Sequence, residues 1–90
     1  MLSEQIAVAN PSGLHMRPAS LLMKAAMAYK SSVLIEARGK TYNAKSLVTI
    51  LSAAVKHGET IGIIAEGEDE AECMAAVLEV LTHTPGEHDA

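Results

Sequence analysis

The chain has 90 residues and a formal net charge of −4, and 49% of its residues are hydrophobic. This length fits a single domain. Its core is expected to be aliphatic, because the sequence has no Phe or Trp and only two Tyr. The negative charge and the scarcity of aromatic rings argue against a nucleic-acid-binding protein, which needs a basic surface and stacking side chains.

The sequence also indicates a compartment. Residues 1–8 lack the basic start and the apolar run of a secretory signal peptide. No stretch reaches the roughly 18 apolar residues that a membrane-spanning helix needs. The single cysteine, Cys73, cannot form an internal disulfide, which is typical of a reducing compartment. We therefore expect a cytoplasmic protein without membrane insertion.

Charge is unevenly distributed along the chain. Before position 57 there are seven basic and two acidic residues, a local charge of +5, whereas residues 57–90 carry nine acidic residues and no Lys or Arg. Ordinary solvated surface accounts for such a pattern. The alternative is a basic face that attracts an acidic partner to the first half of the chain.

The first half of the chain predicts a strand, a helix and a hairpin. Polar and apolar residues alternate over residues 5–8, as in a short strand, and the segment NPSG marks a loop. Helical spacing begins at about Met16. The buried stripe of this helix comprises Ala19, Leu22, Ala26 and Tyr29, and Leu21, Ala25 and Ala28 widen it. Two strands, SSVLIEA and KTYNA, follow and are joined at Arg38–Gly39, since Gly supplies the positive φ of a tight turn.

The second half predicts a helix, a strand and a last helix. In KSLVTILSAAVKHG, Ser46 fits the helix N-cap and Gly58 fits the exit. The apolar face of this helix comprises Leu47, Ile50, Leu51 and Ala54. The segment TIGIIAEG is typical of a strand. The last helix lies in EDEAECMAAVLEVL, where Asp69 and Glu72 have the spacing of a capping box.

The predicted element order is β-α-β-β-α-β-α, which indicates the α+β class. We expect a two-layer open-faced sandwich, in which three helices cover one face of a four-stranded antiparallel sheet. Residues 1–90 would form a single domain, with a flexible tail over residues 82–90.

The segment NPSGLHMRPAS brings a histidine and an arginine to the predicted start of the first helix. Pro18 marks that start, because proline is tolerated in the first turn of a helix. His15 then lies at the N-cap, beside N–H groups at the positive end of the helix dipole, where an anion can bind. The guanidinium of Arg17 can bind a phosphate through two donors.

The residues alone leave three explanations for His15. A histidine that is mostly neutral near pH 7 can accept a phosphoryl group on a ring nitrogen and release it again. A structural histidine beside a capping loop is the commoner situation. A metal site would need further ligands, and His57, His83 and His88 lack suitable spacing with His15. We expect no metal and no cofactor.

The string GLHMRPA, residues 13–19, resembles the active-site segment of HPr, the histidine-containing phosphocarrier family of the bacterial phosphoenolpyruvate:sugar phosphotransferase system. The segments AKSL, residues 44–47, and AEGEDE, residues 65–70, also resemble segments of that family. The resemblance covers nearly the whole chain. It implies a phosphocarrier that forms a phosphohistidine intermediate, and not an enzyme.

The resemblance implies roles for three residues. His15 would take a phosphoryl group on Nδ1 from phosphorylated enzyme I and pass it to IIA domains of sugar permeases. Arg17 would hold the phosphoryl oxygens. Ser46 would be the regulatory serine that HPr kinase/phosphorylase modifies in many Gram-positive relatives, where the modified form binds a catabolite-control transcription factor. A phosphate on Ser46 adds about −1.5 to −2 charge, which a helix start tolerates and an acidic partner does not.

A partner-binding surface is expected around the site. It comprises Leu14, Met16, Ser20, Lys24, Lys45, Leu47 and Leu51. Met16 replaces the small residue more usual in the family, and methionine is an adaptable contact residue. Uncharged Met27 and Thr49 make the basic rim less positive. A carrier that presents one face to successive partners is expected to be a monomer.

One alternative function stays open, and the sequence argues against two others. An HPr-like paralogue with the same His–Arg pair could serve a nitrogen-related or dihydroxyacetone-kinase relay. A purely regulatory relative normally lacks the active histidine, so His15 argues against it. An RNA-recognition domain has a similar mixture of strands and helices but needs strand aromatics, of which this sequence has one Tyr.

Overall fold

The computed structural model describes residues 1–82, which fold in the order β-α-β-β-α-β-α. The elements are β1 (Leu2–Ala7), α1 (Met16–Met27), β2 (Ser32–Ala37), β3 (Lys40–Asn43), α2 (Leu47–Ser52), β4 (Thr60–Glu66) and α3 (Glu70–Thr82). The predicted element order and class are confirmed. Thr82, assigned to the tail from the sequence, is the last residue of α3, and the remaining tail residues, 83–90, lie outside the described residues.

The sheet is antiparallel throughout, with the strand order β1-β4-β2-β3. Alternate residues of the two central strands point toward the helices, and Ile35 and Ile63, which pair in register, are fully buried. Leu34 and Ile64 pair on the opposite, open face and are half-buried. The predicted open-faced sandwich is therefore confirmed. Cys73 lies in the core as a free thiol, and burial raises its pKa.

The hairpin between β2 and β3 turns at Arg38–Gly39, as the sequence predicts. The φ values of these residues are 52° and 80°, and two positive φ values in succession are typical of a type I′ turn. The Arg38 guanidinium donates to Glu59 and to the carbonyl oxygen of Ala53 at the end of α2. These bonds secure a turn in which a non-glycine residue is strained. The concavity beside them, about 360 Å³, is lined by Arg38, Ala54, Lys56 and Glu59.

Helix α2 is shorter than predicted, because it ends at Ser52. Ala54 has a φ of 51° and is exposed, so its predicted place on the apolar helical face is wrong. Val55 is 4% exposed, and its carbonyl oxygen accepts the N–H of Leu14 at 2.9 Å. Burial of Val55 and this bond turn the chain out of the helix and toward the loop before α1.

Asp69 makes contacts that the sequence did not predict. Its carboxylate accepts the N–H of Lys30 at 2.9 Å, the N–H of Ser31 at 3.0 Å and the Ser31 hydroxyl. The Ser31 hydroxyl, followed by the N–H of Lys30, holds the pKa of Asp69 below its ordinary value. The carboxylate thus joins the start of α3 to the α1–β2 connection, in place of the predicted capping box with Glu72.

The loop before α1 packs backbone to backbone against the segment after α2. Gly13 has a φ of 70°, and its N–H donates to the carbonyl oxygen of Asn10 at 2.9 Å. A Cβ at Gly13 would overlap the carbonyl oxygen of Val55 and lie 2.8 Å from Cα of Lys56. Both the backbone conformation and the close approach therefore require glycine.

We expect Gly13→Ala to destabilise the fold more than Gly58→Ala does. The two glycines have similar φ values, 70° and 83°, but apart from the adjoining residues no heavy atom of the described residues lies within 4 Å of a Cβ at Gly58. Gly58→Ala should therefore cost about 1–2 kcal/mol for its φ alone. Gly13→Ala should cost about 1–3 kcal/mol more from overpacking.

Urea denaturation of the two variants measures this difference in the free energy of unfolding. Equal losses of stability would show that the loop before α1 moves aside for a Cβ without cost.

Candidate functional site

The histidine and arginine singled out from the sequence lie where the loop of residues 10–14 enters α1. His15 is the N-cap residue, with φ −82° and ψ −168°, and its carbonyl oxygen accepts the N–H of Ala19 at 2.9 Å. The helix begins at Met16, as Pro18 predicts. The imidazole of His15 is exposed, so it is accessible to another molecule.

The His15 ring contacts the loop through one nitrogen. Its Nδ1 lies 3.4 Å from the carbonyl oxygen of Gly13, which is longer than the usual N–H···O distance of about 2.7–3.2 Å. Since a carbonyl oxygen can only accept, the contact favours the hydrogen on Nδ1. A lone pair on Nδ1 would be repelled by that oxygen, so a nucleophilic Nδ1 has to turn toward solvent.

The residue before the histidine is part of the core. Leu14 is 3% exposed, and its N–H donates to the carbonyl oxygen of Val55. Its predicted place in an exposed partner-binding surface is therefore wrong. The turn at Gly13 directs the Leu14 side chain inward and leaves His15 outward. Buried residues on both sides, Leu14 and Pro18, give the exposed imidazole a firmly packed base.

An open groove of about 470 Å³ lies beside the ring, along the exposed side of α1. Its lining comprises His15, Met16, Arg17, Ser20, Leu21 and Lys24. Residues three or four positions apart share one side of a helix, which explains why these side chains meet. Leu21 is the lining residue that the sequence placed in the buried stripe, although its spacing of four from Arg17 could have located it.

The groove is suited to an anion. Its six lining residues include the cations Arg17 and Lys24 and no acidic residue. The groove begins at the N-terminal end of α1, which carries partial positive charge on its first backbone N–H groups. A phosphoryl group attached to His15 would therefore lie next to an arginine and a helix start, the two elements that commonly hold phosphate.

Lys45 lies away from the groove. Its Nζ donates to the carbonyl oxygen of Tyr29 at 3.0 Å, just beyond the C-terminal end of α1. This helix has 12 residues and is thus about 18 Å long. The predicted position of Lys45 on the rim beside His15 is wrong, because the carbonyl groups at a helix C-terminus attract a cation.

Ser46 is the N-cap of α2, as predicted. Its Oγ accepts the N–H of Thr49 at 3.3 Å and the Thr49 hydroxyl at 2.9 Å. The helix starts beside Lys45 at one end of α1, and the chain after it reaches Leu14 near the other end. The residue before Ser46 therefore contacts the end of α1 away from His15.

The apolar surface of α2 differs from the predicted one. Leu47 and Leu51 are half-buried and pack against the core. Val48 is 78% exposed, and Met16, at the start of α1, is 58% exposed. Val48 was not singled out from the sequence. A large apolar residue on the outward side of an otherwise inward-facing pattern is the signal that would have identified it.

An open-faced sandwich with a histidine and an arginine at a helix start agrees with the expected class, a small histidine-type phosphocarrier domain. Residues 2–83 match the family described as the PTS HPr component phosphorylation site. The chain belongs to this family, HPr. HPr-like protein Crh of Halalkalibacterium halodurans is 41% identical over 78 residues, which cover 87% of this chain and 93% of that protein.

Solved structures of HPr and Crh proteins superpose on this chain, in agreement with the family assignment. HPr-C-His of Thermoanaerobacter tengcongensis superposes with a TM-score of 0.87 and 36% identity, covering 90% of this chain and 91% of that one. Crh of Bacillus subtilis superposes with a TM-score of 0.72 and 36% identity, covering 90% and 93%. That Crh structure is described as a domain-swapped dimer of a catabolite repression protein.

Proteins of the HPr family are phosphocarriers rather than enzymes, and they interact with components of the phosphotransferase system. Within residues 1–82, no helix is both long and apolar enough to cross a membrane. The same residues contain no group of three or more His, Cys, Asp or Glu side chains that could hold a metal ion.

Proposed function

We propose that this chain is a phosphoryl carrier of the bacterial sugar phosphotransferase system. It accepts a phosphoryl group on His15 from phosphorylated enzyme I and passes it to the IIA domains of sugar permeases. The main support for this proposal is that His15 and Arg17 line one groove at the start of α1 in a chain of the HPr family. It would act as a cytoplasmic monomer of one domain.

The transfer step is a displacement at phosphorus. A ring nitrogen of His15, Nδ1 by the resemblance to HPr, attacks with its lone pair, and the N–P bond forms while the bond from phosphorus to the donor atom breaks. The attacking ring is the neutral tautomer with its hydrogen on Nε2. The hydrogen that the Gly13 contact favours on Nδ1 therefore passes to solvent, and Nε2 takes up a proton from solvent, before attack. Before attack, Nδ1 must leave the Gly13 carbonyl oxygen, 3.4 Å away, and this long contact is easily given up.

The groove supplies charge for this step. The Arg17 guanidinium can bind two phosphoryl oxygens at once, and the N-terminal end of α1 adds partial positive charge. Ser20 and Lys24, one and two turns further along α1, extend the polar and cationic lining toward a docked partner. These groups are exposed or half-buried, so water weakens their hold and the phosphoryl group can be released.

We expect His15→Ala to abolish phosphorylation by enzyme I and labelled phosphoenolpyruvate, because it removes the attacking nitrogen. His83→Ala, which changes a histidine outside the family motif, is the control and should be labelled like the wild type. The measurement is label retained on the protein. Equal labelling of His15→Ala and the wild type would show that the assignment of His15 is wrong.

Arg17→Ala is expected to slow both phosphorylation and onward transfer to a IIA domain by about 10- to 100-fold, the value of hydrogen bonds to a charged group. Lys40→Ala removes an exposed cation from the β2–β3 hairpin and should leave both rates unchanged. Rapid-quench kinetics measure the two rates. Unchanged rates in Arg17→Ala would exclude the proposed role of its guanidinium.

We further propose that Ser46 is a regulatory site, modified by HPr kinase/phosphorylase, and that the modified form engages a catabolite-control transcription factor. The supporting observations are its half-buried hydroxyl at the start of α2 and the likeness to Crh, described as a catabolite repression protein. Because the residue before Ser46 contacts the end of α1 away from His15, a phosphate on Ser46 would act on a docked partner more than on the imidazole.

Incubation with HPr kinase/phosphorylase and ATP is expected to place acid-stable phosphate on the wild type and none on Ser46→Ala. Ser52→Ala, a change at the other end of the same helix, should be modified normally. The phosphorylated protein should accept phosphoryl groups from enzyme I more slowly, with an unchanged circular dichroism spectrum. Acid-stable phosphate on Ser46→Ala would contradict the assignment.

A further inference from the structure

His57 contacts the turn that carries His15, although it belongs to the segment after α2. Its Nδ1 lies 3.1 Å from the carbonyl oxygen of Asn10. Because a carbonyl oxygen can only accept, Nδ1 carries the hydrogen and donates it. The same oxygen accepts the N–H of Gly13 at 2.9 Å. Two donors from different segments thus converge on one oxygen of this turn.

The His57 contact lies between two backbone hydrogen bonds that join the same two segments. At one end of the loop, the N–H of Gly58 donates to the carbonyl oxygen of Val8 at 2.9 Å. At the other end, the N–H of Leu14 donates to the carbonyl oxygen of Val55, also at 2.9 Å. Between these two backbone bonds, the His57 side chain adds a third link between the same two segments.

We propose that His57 is a positioning residue for the phosphorylation site, an inference that rests on the proposed role of His15. Its Nδ1–H holds the Asn10 carbonyl group in the orientation that also accepts the Gly13 N–H. The Ser12–Gly13 peptide, which carries this N–H, is thereby fixed. It adjoins the Gly13–Leu14 peptide, whose carbonyl oxygen contacts Nδ1 of His15.

The chemistry at Gly13 explains why such support matters. A glycine at a positive φ has more conformational freedom than any other residue, so a turn built on it needs outside contacts to keep one orientation. If the Ser12–Gly13 peptide moved, the φ of Gly13 would change, and the imidazole two residues further on would sample more directions. Fewer of these directions would allow attack on a donor phosphoryl group.

Three substitutions separate the donor from the bulk of the ring. His57→Asn keeps an N–H donor on the atom attached to Cγ, the place that Nδ1 occupies in the imidazole. His57→Gln carries the same amide one bond further out, and His57→Ala removes the donor. Of the three, only the Asn variant keeps a donor within reach of the Asn10 carbonyl oxygen without a shift of the backbone.

We expect His57→Ala and His57→Gln to lower the single-turnover rate of phosphorylation by phosphorylated enzyme I about 2- to 10-fold, the value of one hydrogen bond. The enzyme I concentration at half-saturation should not change, since the groove residues are intact. His57→Asn should keep the wild-type rate. If the Ala and Gln variants match the wild type, or the Asn variant loses as much as the Ala variant, the proposal is overturned.

Hydrogen exchange tests the same inference without phosphoryl transfer. The Gly13 amide should exchange about 2- to 10-fold faster in the Ala and Gln variants than in the wild type and the Asn variant. The amide of Ile63 in the centre of the sheet is the control and should not change. Equal acceleration at Ile63 would indicate a global loss of stability and overturn the proposal.

The two tests also separate this inference from the proposed function. Failure of the wild type to become phosphorylated on His15 would refute the carrier function alone. The exchange rate of the Gly13 amide would still report whether His57 fixes the turn.

Discussion

The packing of the Gly13 turn against the backbone after α2 is the constraint on which the site depends. A Cβ at Gly13 would overlap the carbonyl oxygen of Val55, so the two segments touch without side chains between them. The same contact brings Leu14 into the core and leaves His15 outside it. It also requires α2 to end early, because Val55 can meet the loop only after the chain leaves the helix. One close approach thus determines the length of α2 and the exposure of the imidazole.

Features that depend on neighbours in the sequence were predictable. Pro18 located the start of α1, Gly39 the hairpin turn and Ser46 the cap of α2, since each follows from backbone rules that act over a few residues. Features that depend on contacts with distant segments of the chain could not be predicted from the sequence. The end of α2 is decided by Val55 and the partner of Asp69 by the α1–β2 connection, and nothing in the local pattern of either residue reports these contacts.

Among the site residues, too, local geometry was predictable from the sequence and tertiary contacts were not. His15 and Arg17 lie two positions apart, so their meeting at a helix start follows from local geometry. Lys24 joins them because it lies on the same side of that helix. Lys45 and Leu14 were misplaced because their positions depend on tertiary contacts, with the α1 C-terminus and with the core. The contact of His57 with the loop was invisible for the same reason, since the two segments are far apart in the chain.

The arrangement of charge bears on how Ser46 could influence the site. Asp69, just before α3, binds the chain just after α1, so a carboxylate lies at the end of α1 away from His15. Lys45, next to Ser46, reaches that same end. Helix α1 is about 18 Å long, and exposed charges more than about 8 Å apart are largely screened at physiological salt. A phosphate on Ser46 would act on the imidazole through water that screens it. On the proposal that Ser46 is modified, its effect on transfer would arise in the docked complex, where a partner excludes that screening water.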